Sequence, residues 1–329
     1  MTDSRGYATP GAFRKAADTR LRMLAYRTGR PVTQVRREFL HQRLLARVFQ
    51  HPDSPWALKG GVSLTLLRPG ARDTRDVNLV HLVACPSIAE AELREAGSVD
   101  LGDHLRFVVT RVMPQTEPAL RKVKMAVHVG TALWDHFDVG ISCEREFVDD
   151  FRLIRPEPVI RLGGVAEPPR FRLYPAAEQV ADKVAAIYER HGTEGVVSSR
   201  YRDLVDLVFL VGMERLDATR LVAALRARER WSRDRLVLPS FCRPPGAIWY
   251  RGYPMEARRS ALDADLHHLD NALAYVGACL NPILDGSVTS GTWDPVRRLW
   301  AVEDTAVEHV ERRVMRGIVT PATWALTGW

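Results

Sequence analysis

Cysteine is scarce in this chain, with four residues among 329, at positions 85, 143, 242 and 279. None forms a C-x-x-C pair, and no nearby histidine completes a zinc-binding set. A disulfide framework or a structural zinc centre is therefore excluded as the basis of the fold. We expect four reduced thiols, as is usual in cytoplasmic proteins.

Long apolar runs are also missing, because no stretch of 18 consecutive apolar residues occurs. The N-terminus, MTDSRGYATP, lacks the apolar segment of a secretion signal. We therefore expect a cytoplasmic protein without a membrane span. Hydrophobic residues make up 46% and charged residues 26%, which excludes a disordered or fibrous chain and leaves room for about two globular domains.

Lysine is rare among the basic residues, although the chain has 47 of them and a net charge of +7. The five lysines are Lys15, Lys59, Lys122, Lys124 and Lys183. An ammonium group is a compact point charge, whereas a guanidinium is a planar fork. A lysine retained in such an arginine-rich sequence is therefore a candidate functional residue.

The first fifty residues carry eleven basic and three acidic side chains, so their net charge of +8 accounts for the whole excess. Apolar spacing predicts helices over residues 10–28 and 31–50. The outside of the second helix is predicted to carry Arg36, Arg37, Arg43 and Arg47. A basic segment of this kind indicates a polyanionic partner such as nucleic acid, and a solvated helix face is the alternative.

Strands and helices alternate in the middle of the chain, and helices dominate its C-terminal part. A cluster of prolines and glycines between residues 155 and 170 marks the boundary. The sequence therefore predicts an α+β protein with a mixed sheet. Its three parts are a basic N-terminal helical segment (1–50), an α/β domain (51–165) and a helical C-terminal domain (166–329).

The helical part is predicted to contain a helix over residues 255–280, after a loop at 239–253 that is rich in proline, glycine and aromatic residues. Two interpretations of this loop are open. Its aromatic residues, among them Trp249 and Tyr253, either stack on nucleic-acid bases or pack between helices. Packing is the favoured interpretation.

A glycine pair, Gly60-Gly61, lies at a predicted junction between a strand and a helix, between Lys59 and Ser63. Glycines let the backbone approach a phosphate, and a helix N-terminus offers free amide groups. The G-x-x-x-x-G-K-[ST] pattern is absent, so the segment is not a Walker A loop. A phosphate-binding turn and a plain tight turn both remain open.

Asp76 and Asn78 are two residues apart on a predicted strand, so both side chains point to one face. Asp138 lies on the polar face of a later predicted strand. If these strands are neighbours, the three oxygen-bearing side chains suit a hard cation such as Mg²⁺, and carboxylates of this kind serve phosphoryl transfer. An ordinary polar strand end is the alternative.

Lys183 borders the apolar stripe of a predicted helix over residues 175–190, and Asp203 and Asp206 share one face of the next helix. These charged residues form either part of an active site or a structural ion pair between a buried lysine and a buried aspartate. Spacing alone favours the structural pair.

These segments occur in a recognisable order: L-K-G-G-x-x-L at 58–64, R-x-T-R-D-x-x-L at 72–79, F-D-V-G at 137–140, the Lys183 helix, and S-R-x-R-D-L-x-D-L at 199–207. The order resembles the AbiEii/AbiGii toxin family of nucleotidyltransferases, within the DNA polymerase β nucleotidyltransferase superfamily. The resemblance implies Mg²⁺-dependent transfer of a nucleotide from a nucleoside triphosphate (NTP) to an RNA acceptor, such as the 3′ end of tRNA. It also implies an antitoxin encoded alongside, in a toxin–antitoxin or phage-defence system.

The same resemblance implies roles for individual residues. By this resemblance, the nucleotide is contacted by Gly60, Gly61, Ser63, Thr74 and Lys183. The metal is ligated by Asp76, Asn78 and Asp138. These three residues, together with Lys183 and Asp203, are the implied catalytic residues. Asp203 supports the site from the helical domain.

Asn78 departs from the family pattern, which has a second aspartate at this position. An amide oxygen can ligate Mg²⁺ but brings no negative charge, which weakens metal binding and stabilisation of the transition state. Asn78 is compatible with a site that works with one firmly bound metal ion, with a natural pseudo-enzyme, and with a deliberate inactivating change. For the function, three interpretations stay open: an active nucleotidyltransferase acting on RNA, a catalytically weakened protein that binds nucleotide or RNA, and a nucleotidyltransferase for a small-molecule or protein hydroxyl.

Overall fold

A computed structural model describes residues 6–83, 85–114, 119–143, 146–232 and 236–301. The chain begins with two helices, α1 (Pro10–Thr28) and α2 (Val32–Val48), which confirms both predicted helices. The Oγ1 atom of Thr9 accepts a hydrogen bond from the Ala12 amide and starts α1. Gly29, with φ of 64°, ends it.

The outer face of α2 is not wholly solvated, so the prediction for Arg43 and Arg47 is wrong. Arg43 Nε donates to Oδ2 of Asp103 over 2.7 Å, and Arg47 Nη2 donates to Oδ1 of the same carboxylate over 2.6 Å. All three residues are buried. The segment that includes Ala166 covers this side of the helix and accepts a further hydrogen bond from Arg43.

The middle of the chain forms one mixed sheet. Its strands are β1 (Trp56–Lys59), β2 (Asp76–His81), β3 (Leu105–Met113), β4 (Leu120–Val129), β5 (Ala132–Cys143), β6 (Arg152–Ile154) and β7 (Phe171–Leu173). Their spatial order is β3-β4-β5-β2-β1-β7-β6. β2 runs parallel to β5 and antiparallel to β1, while β4 runs antiparallel to β5. Two short helices, α3 (Gly61–Leu67) and α4 (Pro86–Ser98), follow β1 and β2.

The two faces of the sheet differ because apolar and polar residues alternate along β2 and β5. Val77 and Leu79 of β2 pack with Val139 and Ile141 of β5 in a core that also contains the buried side chains of α1 and α2. The residues between them therefore lie on the opposite face. This alternation places the polar side chains of both strands together, away from the core.

The C-terminal part is mainly helical and has a core of its own. Its helices are α5 (Ala176–Tyr188), α6 (Tyr201–Met213), α7 (Ala218–Trp231), α8 (Trp249–Ala257) and α9 (Leu269–Leu284). This part also contains two small hairpins. The first, between α5 and α6, pairs β8 (Arg190–His191) with β9 (Val196–Val197), and the second, after α9, pairs β10 (Thr292–Asp294) with β11 (Leu299–Ala301). The α+β class, with N-terminal helices and a helical C-terminal part, is confirmed. No helix in the described ranges is long and apolar enough to cross a membrane.

The sheet extends beyond residue 165, where the sequence analysis ends the α/β domain. β7 pairs in parallel with β1 through Leu58 and Leu173. Phe171 and Leu173 are buried in the same core as the sheet. A three-residue strand is too short for a periodicity argument, and its pairing with β1 and β6 identifies it.

The single helix predicted over residues 255–280 is wrong, because α8 ends at Ala257 and α9 begins at Leu269. Between them the chain crosses to the segment before β2, where the Ala261 amide donates to the carbonyl of Ala71 over 2.8 Å. A tertiary contact of this kind leaves no mark on local apolar spacing.

Two aromatic residues of the loop pack inside the protein, as the favoured interpretation predicts, whereas Tyr250 is 55% exposed and its hydroxyl donates to Oδ1 of Asp270 over 3.1 Å. Trp249 and Tyr253 are fully buried in the helical core. Trp249 Nε1 donates to the carbonyl of Ser198 and the Tyr253 hydroxyl to that of Leu266, each over 2.8 Å. Base stacking by these two rings is therefore wrong, since neither ring reaches solvent.

Candidate active site

The candidate site lies on the polar face of the sheet, where β1, β2, β5 and β4 are neighbours. In the strand register Asp76 is paired with Asp138, and Asp138 with Lys124. The next row joins Lys59, Asn78, Gly140 and Lys122. Because paired residues on adjacent strands point to the same face, the three predicted metal ligands lie together and lysines flank them.

Asp138 is held by two lysines of β4. Its Oδ2 lies 3.2 Å from Nζ of Lys122, and its Oδ1 lies 3.3 Å from Nζ of Lys124. Burial alone would raise the pKa of Asp138, but the two ammonium groups outweigh it and hold that pKa below its usual value. Each lysine side chain is 42% exposed and that of Asp138 is 27% exposed, so solvent reaches these charges.

Asn78 occupies the space above Gly140. A Cβ atom at Gly140 would lie 2.5 Å from Oδ1 of Asn78, so only glycine leaves room for the amide in this position. Asn78 Nδ2 donates a long hydrogen bond of 3.4 Å to Oδ2 of Asp76. The amide therefore lies between Asp76 and β5, and it brings no charge there.

This donor set limits what metal the site can hold. Within the described ranges no group of three or more His, Cys, Asp and Glu side chains is arranged to hold a metal ion. Both oxygens of Asp138 face lysines, which leaves the Asp76 carboxylate and the Asn78 amide. Two metal ions held by three carboxylates do not fit these residues. One Mg²⁺ does fit, since protein-bound Mg²⁺ takes one or two carboxylates with substrate phosphates and water.

The glycine turn follows β1 directly. Gly60 has φ 75° and ψ −151°, a combination restricted almost entirely to glycine. A Cβ atom at Gly61 would lie 2.6 Å from Nη2 of Arg72 and from Oγ1 of Thr74. Both glycines are thus required, the first by backbone conformation and the second by close approach to the segment before β2.

The hydroxyl groups near this turn are used inside the protein. Ser63 is fully buried, and its Oγ donates to the carbonyl of Gly60 over 2.7 Å and lies 2.9 Å from Oε1 of Gln179. Thr74 is also buried, and its Oγ1 accepts a hydrogen bond of 3.2 Å from Nη1 of Arg72. In this arrangement both side chains support the shape of the turn.

Lys183 belongs to a buried charged cluster in the helical half. Its Nζ donates to Oδ1 of Asp203 over 3.1 Å and to Oδ2 of Asp206 over 2.5 Å. Burial alone would lower the pKa of Lys183, but the two carboxylates outweigh it and hold that pKa above its usual value. Lys183 therefore carries a permanent positive charge at neutral pH, which suits electrostatic stabilisation and excludes a general base.

Arg72 connects this cluster to the sheet. From the segment before β2, its Nε donates to Oδ1 of Asp206 over 2.5 Å and its Nη2 to Oδ2 over 2.8 Å. Against the effect of burial, Asp206 holds the pKa of Arg72 above its usual value, and Asp203 does the same for Arg200, with a smaller contribution from Asp76 to each. The carboxylate on the sheet and the charged cluster of the helices are therefore parts of one site.

Sequence reasoning assigns Asp203 to the site, leaves Asp206 open between an active-site residue and a structural ion pair, and names Lys122 and Lys124 only as rare lysines. It gives no role to Arg72. Asp206 is the more buried of the two α6 carboxylates and binds both Lys183 and Arg72. The rarity of lysine is the signal that could have found the β4 pair. Of the five lysines, four lie at this site: Lys59, Lys122, Lys124 and Lys183.

Neighbouring strands that present carboxylates beside a glycine turn, with a helical half that supplies a lysine, define a nucleotidyltransferase fold. The chain belongs to the AbiEii family, the nucleotidyl transferase toxins of type IV toxin–antitoxin systems, whose family model matches residues 43–275. The match confirms the resemblance in the sequence.

Three solved structures are similar in fold. MenT4, a nucleotidyltransferase toxin from Mycobacterium tuberculosis H37Rv, is 16% identical with a TM-score of 0.52, over 90% of this chain and 98% of that one. A putative nucleotidyltransferase from H. pylori is 12% identical with a TM-score of 0.42, over 78% and 96%. JHP933 from Helicobacter pylori is 11% identical with a TM-score of 0.42, over 86% and 98%. No curated protein sequence matches the chain significantly.

Proposed function

We propose that this protein is a cytoplasmic toxin that transfers a nucleotide from an NTP to an RNA hydroxyl, with the 3′ end of tRNA as the acceptor. The acceptor oxygen forms a bond to the α-phosphorus, the bond to the bridging oxygen of pyrophosphate breaks, and the hydroxyl proton is released. Family membership supports the class of reaction. An antitoxin encoded alongside opposes the toxin, in a toxin–antitoxin or phage-defence system.

One observation carries the proposal: Arg72, on the segment that enters β2 at Asp76, binds Asp206 of the Lys183 cluster and so joins the two halves of the protein. The phosphates of an NTP carry several negative charges, and the reaction adds charge around the α-phosphorus. Positive groups fixed in advance stabilise that charge without reorganisation during the reaction. Lys183 and Arg72 are fixed in this way by Asp206.

The residues of the sheet half have distinct proposed roles. Gly60 and Gly61 bring the backbone close to the triphosphate, and the buried hydroxyls of Ser63 and Thr74 hold the shape of this turn. Asp76 and the Oδ1 atom of Asn78 would hold one Mg²⁺. A bound Mg²⁺ would neutralise phosphate charge and polarise the phosphoryl group.

The acceptor RNA would contact the basic N-terminal segment through its phosphates. Arg43 and Arg47 are buried and cannot take part. The exposed basic residues of α1 are Lys15, Arg20, Arg22 and Arg27. Binding through such residues releases counterions, so the affinity for RNA should fall as the salt concentration rises.

Asn78 supports a second candidate, in which the protein binds nucleotide or RNA but turns over poorly. The site has one carboxylate fewer than the family pattern, and a missing charge reduces both metal affinity and rate. In that case the protein inhibits by sequestration. The Asn78→Asp variant separates the two candidates, because it restores the missing carboxylate in the position above Gly140.

The test is transfer of label from the four α-labelled NTPs to total tRNA with Mg²⁺, using the chain as it stands and the variants Asn78→Asp, Asp76→Ala and Lys183→Ala. Label transfer by the unaltered chain, lost in Asp76→Ala and Lys183→Ala, would establish the proposal. Transfer by Asn78→Asp alone would establish the weakened protein. Transfer that survives Asp76→Ala would refute this site.

The acceptor is tested in the same experiment. Label in tRNA supports the RNA assignment. Label that appears only in protein or in small molecules, when a cell extract replaces tRNA, contradicts RNA as the acceptor and supports the third interpretation of the sequence.

A further inference from the structure

The lysine pair on β4 is not explained by the roles above. Lys122 and Lys124 both pair with Asp138, which they surround with two positive charges for one negative. Lys59 lies in the same row as Lys122, at the opposite edge of the site. Asn78, between these lysines, is uncharged. Lys59 itself lies 3.6 Å from Oδ2 of Asp182, so the local positive excess is confined to the β4 side of the site, where two lysines meet one carboxylate.

A metal-binding role for Asp138 does not fit this arrangement. A cation bound to Asp138 would lie beside two ammonium groups, which are 3.2 and 3.3 Å from the carboxylate oxygens and would repel it. The positive charge is also already present without metal. The two ammonium groups supply at the sheet face the charge that a second metal ion would bring to a polyphosphate.

The strength of the pair suits exchange with a ligand. Ion pairs between half-exposed side chains contribute only about 0–1 kcal/mol, so little is lost when they separate. Each ammonium group has three N–H donors and directs one of them at Asp138, so the others can donate to phosphate oxygens. A polyphosphate carries more negative charge than one carboxylate and can compete for both lysines.

We propose that Lys122 and Lys124 form a phosphate-binding subsite that takes the polyphosphate chain of the NTP without a metal ion, and that Asp138 is the counter-ion that holds the pair when the subsite is empty. The inference rests on the proposed nucleotide substrate. It assigns a polyphosphate because both ammonium groups converge on one carboxylate, 3.2 and 3.3 Å from its oxygens, and a compact polyanion can reach both at once.

The test measures binding of inorganic tripolyphosphate by isothermal titration calorimetry in EDTA, so that neither metal nor base contributes. The unaltered chain should bind. Lys122→Gln combined with Lys124→Gln should weaken binding about tenfold or more, because two charge-assisted hydrogen bonds are lost. Lys122→Arg with Lys124→Arg keeps both charges and should retain most of the affinity.

The matched control removes two positive charges elsewhere, with Arg226→Gln and Arg230→Gln on the exposed side of α7. This control should bind tripolyphosphate within about twofold of the unaltered chain, because it lowers the net charge equally but leaves the subsite intact. Equal losses in the control and in the lysine variant would overturn the proposal in favour of a general charge effect.

Asp138→Asn, measured in EDTA and with Mg²⁺, gives the sharpest result, because only the counter-ion model predicts tighter binding in EDTA. A counter-ion competes with the ligand, so its removal should tighten tripolyphosphate binding in EDTA several-fold. A metal ligand would leave binding in EDTA unchanged and weaken it with Mg²⁺. No increase in affinity for Asp138→Asn, or no loss for the lysine variant, overturns the proposal.

A second titration with a single-stranded RNA oligonucleotide separates the two sources of phosphate. The lysine variant should bind RNA nearly as well as the unaltered chain, and a loss confined to RNA contradicts the proposal. Failure of the phosphate-binding proposal can be told apart from failure of the proposed function, because binding in EDTA requires no turnover. Lysine-dependent binding without label transfer to any acceptor would retain this inference and reject the transferase.

Discussion

Two clusters at the site pair lysine with aspartate, and they differ in burial. On the sheet, the lysines that contact Asp138 are 42% exposed, and the distances are 3.2 and 3.3 Å. Between the helices, Lys183 is 8% exposed and Asp206 is fully buried, with a distance of 2.5 Å. The same chemistry thus gives a pair that a ligand can open and a pair that is part of the core.

The reason is the balance of desolvation and attraction. Exposed ions keep most of their hydration, so their attraction is screened and the net gain is small. Buried ions have lost their hydration, and removing one partner leaves the other without compensation. Asp206 compensates both Lys183 and Arg72, whereas Asp138 shares its two lysines with solvent.

The largest expected effect tests this contrast directly. Asp206→Ala should lower the free energy of unfolding by about 3–5 kcal/mol, because among the described residues Arg72 loses its only carboxylate partner and Lys183 keeps only Asp203. Asp138→Ala should lower it by about 1 kcal/mol or less. Urea unfolding followed by circular dichroism gives both values. Equal losses in the two variants would remove the distinction between the clusters.

The glycines beside each cluster provide the next contrast. A Cβ at Gly61 meets Nη2 of Arg72, which Asp206 holds in place, so Gly61→Ala should cost about 1–3 kcal/mol of stability. A Cβ at Gly140 meets only the end of the Asn78 side chain. Gly140→Ala should therefore unfold at nearly the same urea concentration as the unaltered chain but transfer less nucleotide, since Asn78 is displaced. A large loss of stability in Gly140→Ala would contradict this.

The pH dependence of stability should differ in the same way. Lys183 and Arg72 outweigh the effect of burial and hold the pKa of Asp206 below its usual value. Its contribution is complete above the unfolded-state pKa of about 3.9 and is lost as the pH falls through the lower folded-state pKa. Asp206→Asn should therefore flatten the loss of stability between about pH 4 and pH 2, measured by urea unfolding at each pH. Asp138→Asn, tested in parallel, should flatten the curve less, because the pKa of Asp138 is also lowered but its ion pairs are exposed to solvent.

The smallest expected effect concerns the same contrast between exposed and buried charges, now in the N-terminal helices. Arg22 and Arg27 are exposed, whereas Arg43 and Arg47 are buried against Asp103. Arg22→Gln with Arg27→Gln should leave the urea midpoint unchanged and reduce the slope of log affinity for tRNA against log salt by about one to two. Filter binding at several salt concentrations measures the slope. An unchanged slope would place the RNA contact elsewhere.

Much of the fold is predictable because it follows from local periodicity. Alternation along β2 and β5 predicts both strands and the faces of Asp76, Asn78 and Asp138. Apolar spacing predicts α1 and α2, and proline and glycine mark the approach to the helical half. Elements set by tertiary contacts escape this reasoning, as the short strand β7 and the break between α8 and α9 demonstrate.

The candidate site also has features that the sequence predicts and features that only packing decides. The spacing of Asp203 and Asp206 shows that they share a face of α6, but it cannot show which of the two is more deeply buried. Packing decides that Asp206 is buried between Lys183 and Arg72, while Asp203 lies nearer to solvent beside Arg200. The basic character of α2 is likewise visible in the sequence, yet only the position of Asp103 shows which arginines are buried.

The sequence by itself determines the class of the protein, the order of its segments and the polar face of each strand, because these depend on residue type and short-range spacing. The tertiary structure decides which strands are neighbours and how deeply each charge is buried. Those two facts join Asp138 to Lys122 and Lys124, and Lys183 to Asp206. The physical reason is that the strength of a charge pair depends on its surroundings, and the surroundings come from residues far apart in the chain.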